Sequence, residues 1–116
     1  MNNISERKGR YMADTVPVRL GGIAANLARV RSFSRNIENK DAVYDLFEES
    51  KHFIEWTASE TEPATAASLV ELQVQIAVWQ RGWLSNWADE TKRNSIALAS
   101  SEWSTRVLES SGLLSQ

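Results

Sequence analysis

The chain contains no cysteine. That excludes a disulfide framework, thiolate zinc, cysteine-ligated iron–sulfur clusters and thiol catalysis. It contains one histidine, His52. Carboxylate di-metal sites in helical bundles pair two Glu-x-x-His motifs with two further glutamates. This chain has Glu49-x-x-His52 alone, on a face turned away from the apolar stripe of its segment, so no metal site is expected. Serines are numerous, yet there is no second histidine and no Gly-x-Ser-x-Gly elbow. Gly21-Gly22 lacks the later glycine and the Gly-Lys-Ser/Thr ending of a phosphate loop. We therefore expect no catalytic residues, no cofactor and no enzyme.

Long apolar runs are also missing. No stretch approaches the roughly 20 apolar residues of a membrane span, and residues 1–14 hold no apolar core of a signal peptide. The expectation is a cytoplasmic protein with no membrane partner. The formal charge of −2 announces no nucleic-acid binder. A length of 116 residues fits one domain. Residues 1–14 read as a flexible extension, with Met12 a second possible start, and residues 15–116 as a single domain.

Helical periodicity is what the chain does have. Apolar residues recur at i, i+3, i+4 and i+7 in four segments. The first covers residues 17–37, with Leu20, Ile23, Leu27, Val30 and Ile37 on one stripe. Pro17 suits a first turn. Gly21, Ala25 and Ala28 share a face that would admit a close neighbour, and the helix could instead begin after Gly22. The second covers residues 41–57, with Val43, Leu46, Phe47, Ser50, Phe53, Ile54 and Thr57 inward.

The third is the most apolar and covers residues 63–87. Leu69, Leu72, Ile76, Trp79, Trp83 and Trp87 keep one register. Val70, Val74, Ala77 and Leu84 form an adjoining stripe, and a face this wide needs cover on more than one side. Gly82 is expected to be passed without a break. The fourth covers residues 89–111, capped by Asp89 and stopped by Gly112. Leu113 and Leu114 should fold back over its end. No segment alternates with period two. Short connections make neighbours antiparallel, so the expected fold is an all-α, up-down-up-down four-helix bundle. A three-helix bundle with a loosely ordered first helix is the alternative.

Five tryptophans stand in this short chain. The bulk reading is that they fill the core, with Trp103 facing the other helix. The functional reading is a contact surface, since Trp and Arg are favoured at interaction hot spots. Trp56, Trp87 and Arg81 are the candidates for a protein-partner surface, and self-association into a homo-oligomer is expected. The charge is uneven: residues 1–40 sum to +5 and the remainder to −7. Arg29, Arg31 and Arg35 carry an alternative reading as a nucleic-acid-associated regulator. The bland reading is a basic first helix resting against the acidic second. A small-ligand binder is the third reading. It would need polar groups aimed into the bundle, and Asn26, Gln73, Gln80 and Asn94 are the residues concerned.

Overall fold

Proline and glycine punctuate the chain, and the helices follow them. A computed structural model describes residues 3–114. It contains six helices, α1 (Asn3–Met12), α2 (Val16–Phe33), α3 (Lys40–Thr57), α4 (Pro63–Gln80), α5 (Trp83–Ala88) and α6 (Glu90–Ser111), and no strand among the described residues. Pro17 and Pro63 lie in the first turns of α2 and α4, where a missing N–H costs nothing. Gly112 ends α6 at φ 79°, a left-handed conformation open to glycine. The Asp89 carboxylate accepts from the Lys92 N–H at 3.0 Å and so caps α6.

Three boundaries differ from the expectations. The expected extension is helical from Asn3 to Met12. Tyr11 holds it: the ring stacks on Phe53 at 4.0 Å, and the hydroxyl donates to the Arg19 carbonyl and accepts from Thr57. The first long helix stops at Phe33, short of residue 37. Asn39 then donates its amide to the Phe33 carbonyl, and Ile37 sits exposed in a short 3-10 turn. Finally, Gly82 does break the third helix. Its φ of 71° lies outside the right-handed helix, so α4 ends at Gln80 and α5 restarts at Trp83. Asn86 donates to the carbonyls of Trp79 and Arg81, two acceptors freed by the break.

Side-chain bonds fix how the long helices run. Arg19 meets Glu60 while Asn26 meets Glu49, so α2 and α3 are antiparallel. Gln73 bonds the Lys51 carbonyl while Gln80 bonds Glu48, so α4 runs opposite to α3. Ser104 donates to the Ala24 carbonyl, and Leu113 lies beside Gly21, which sets α6 antiparallel to α2. A Cβ on Gly21 would approach Leu113 Cδ1 to 2.9 Å, so the small residue there is used by the returning tail. Ala25 and Ala28, expected on the same close-packing face, are exposed. The core lies between α2, α3, α4 and α6, with Ile23, Leu27, Phe47, Ile54, Leu72 and Ile76 fully buried.

Candidate interaction surface

The tryptophans divide by position. Trp79, Trp83, Trp87 and Trp103 are buried. Trp83 and Trp87 follow the Gly82 break and turn inward, with their indole N–H groups donating to the carbonyls of Lys40 and Ile37. Trp87, expected at the surface, is 4% exposed. Its 2.7 Å bond to Ile37 and the Arg93 guanidinium 5.7 Å from its ring centre make it the clamp that closes the turn between α2 and α3. Trp56 is half-buried; it stacks on His52 at 5.6 Å and lies tilted against Tyr11 and Phe53. Arg81 is exposed at the end of α4.

These three residues do not share a face. Trp87 packs at the start of α3 and Trp56 stands at its end, so about 24 Å of helix separates them. Arg81 and Trp87 share one end of the molecule, but one points to solvent and the other to the core.

The arginines also separate. Arg29 donates to Asn26, whose amide reaches Glu49 and Ser50 of α3. Arg31 and Arg35 instead line a cleft of about 290 Å³ with Asn94, Ala97 and Leu98 of α6. Arg29 and Arg31 thus leave α2 on opposite flanks, as a step of two residues turns roughly 200°, and Arg35 lies beyond the helix end at Phe33.

The polar residues expected inside are tied to α3. Asn26 is buried and bonded to Glu49 at 3.0 Å. Gln80 is buried and donates to Glu48 at 3.0 Å. Lys51, 2.9 Å from Glu48, holds that carboxyl below its ordinary range; burial opposes this, and the Gln80 amide adds to it. Gln73 bonds the Lys51 carbonyl, and Asn94 is exposed. Interior polarity here joins helices together. Among the described residues, the Gln80 Oε1, Arg93 Nε and Ser100 Oγ atoms are buried without a partner.

The most unusual surface is one the candidate residues did not include. α4 carries apolar residues on two opposite faces, with Ser68, Glu71 and Gln75 on one flank between them and Gln73 and Gln80 on the other; Glu71 is its one charged residue. Leu69, Leu72, Ile76 and Trp79 face the core. On the opposite side Val70, Val74 and Val78 are exposed by 50%, 59% and 56%, flanked by exposed Ala67 and Ala77. Val70, Val74 and Ala77 belong to the adjoining stripe seen in the sequence. A face this wide needs cover on more than one side, and this stripe has none within the chain. It is open because α3 and α6 pack against the side of Leu72 and Ile76, and the chain breaks at Gly82 before α5.

Among known proteins, no family model, no curated protein and no solved structure matches this chain.

Proposed function

We propose that this is a non-enzymatic protein that acts through protein–protein contact, and that the outward face of α4 is its contact surface. The observation that carries this reading is the row Val70, Val74 and Val78, exposed on the side of α4 opposite its core-facing residues. A second apolar face of this kind calls for cover from outside the chain. Burying three half-exposed valines would contribute about 1 kcal/mol each, half of what full burial of a valine yields. Arg81 lies at the end of this row and keeps a place in the surface. Trp56 and Trp87 move to structural roles.

The scaffold is read as an up-down-up-down bundle of α2, α3, α4 and α6. α1 buttresses one end and α5 the other. That arrangement supports the reading because it makes α4 a rigid ledge rather than a loop. Rigid elements give more defined contact geometry. The nucleic-acid alternative has less support, since Arg29 lies on a different flank from Arg31 and Arg35.

The test is photo-cross-linking in the cell that makes the protein. A photoreactive residue at position 74 should give adducts, whereas one at Thr105, exposed on α6, should give none. Equal yields from both positions would contradict the reading.

A further inference from the structure

We propose that the partner on the α4 face is a second copy of this chain, docked antiparallel across a two-fold axis at the level of Leu72. This rests on the reading of α4 as the contact surface and names what covers it.

The spacing supports self-pairing. Ala67, Val70, Val74 and Ala77 stand at intervals of three, four and three, the a/d rhythm of a helix seam. All four are exposed. Their small side chains let two backbones approach closely. In an antiparallel pair centred on Leu72, Val70 comes level with Val74 of the other copy and Ala67 with Ala77. Every layer is then apolar.

Charge selects the orientation. Glu62 precedes the seam and Arg81 follows it, and both are exposed. Among the described residues neither is ion-paired within the chain. Antiparallel docking brings Arg81 of each copy to within one residue's rise of Glu62 of the other. Glu71 then comes level with Gln73. Parallel docking would set Glu62 beside Glu62, Glu71 beside Glu71 and Arg81 beside Arg81. The helix dipoles favour the same antiparallel choice.

Area sets the strength. α4 has 18 residues and is about 27 Å long. A seam of that length covers less than the roughly 800 Å² per partner of a standard interface. The dimer should therefore be dissociable and depend on concentration.

Light scattering on the full chain from micromolar to millimolar concentration tests this. The mass should rise from 13.1 kDa toward twice that value. Val74→Glu should hold it at the monomer, with the thermal unfolding of the diluted protein unchanged. Glu62→Arg or Arg81→Glu should each weaken association about tenfold, because a two-fold dimer holds the pair twice. Combining the two reversals should restore it. A dimer indifferent to Val74→Glu, or charge reversals that do not compensate, would overturn the proposal. So would a monomer at every concentration. If that monomer still gives cross-links from position 74 to another protein, the contact-surface reading stands and the second-copy proposal fails. If it gives none, both fail.

Discussion

Tyr11 shows how much one side chain can organise. It is 8% exposed, and burial pushes its phenol up to about 12 against an ordinary value of 10; the Thr57 hydrogen bond and Arg19 partly oppose the rise, and Asp14 adds to it. The folded state therefore holds this proton more tightly than the unfolded chain does. Stability from the difference is complete below pH 10 and is lost as pH rises from 10 toward 12, on the order of 2 kcal/mol. We predict that urea unfolding midpoints fall across that window and that Tyr11→Phe flattens the fall. At neutral pH the same variant should lose about 1 kcal/mol with its two hydrogen bonds. An unchanged slope above pH 10 would rule out Tyr11 as the anchor of α1. Nothing local to Tyr11 marks this role. Tyr11 stands in a polar stretch, and its partners Phe53 and Thr57 lie more than forty residues away.

Arg19 works beside it. Its guanidinium donates to the carbonyls of Met12 and Asp14 at the end of α1 and to Glu60 at 3.0 Å. A buried arginine is tolerated there because its donors meet a helix C-terminus and a carboxylate.

At the scale of elements, the sequence was legible where chemistry is local. Pro17, Pro63, Asp89 and Gly112 mark helix ends through their own backbone or side-chain properties, and the structure agrees at each. At Gly82 the apolar register runs through a helix break, which periodicity alone does not reveal. The register is kept because α5 restarts with Trp83 inward, not because the helix continues. Trp87, expected to be exposed near a helix end, is instead buried, because its indole meets the Ile37 carbonyl. Two glycines separate the roles. Gly82 is left-handed with open space around its Cα, so Gly82→Ala should cost about 1–2 kcal/mol from backbone strain alone. Gly9, inside α1 and equally open, should gain about 0.5–1 kcal/mol on Gly9→Ala. Denaturation midpoints moving in opposite directions would bear this out, and midpoints moving together would contradict it.

At the scale of the molecule, the all-helical class was readable from period alone. The open face of α4 was only half readable. Spacing revealed two apolar stripes on the third segment, but no sequence pattern says which of the two a neighbour within the chain will cover. Packing decided it: α3 and α6 took the side of Leu72 and Ile76, and Val70, Val74 and Val78 were left facing water. Within the described residues no helix is long and apolar enough to cross a membrane.

The measurement that bears most directly on this account is carbene footprinting of residues 67–78, compared between dilute purified protein and the protein inside the producing cell. Val70, Val74 and Val78 should label strongly in dilute solution and all three should be protected in the cell. The exposed face of α6 at Thr105 should label alike in both. Equal labelling of the valines in both settings would contradict α4 as the working surface of this protein.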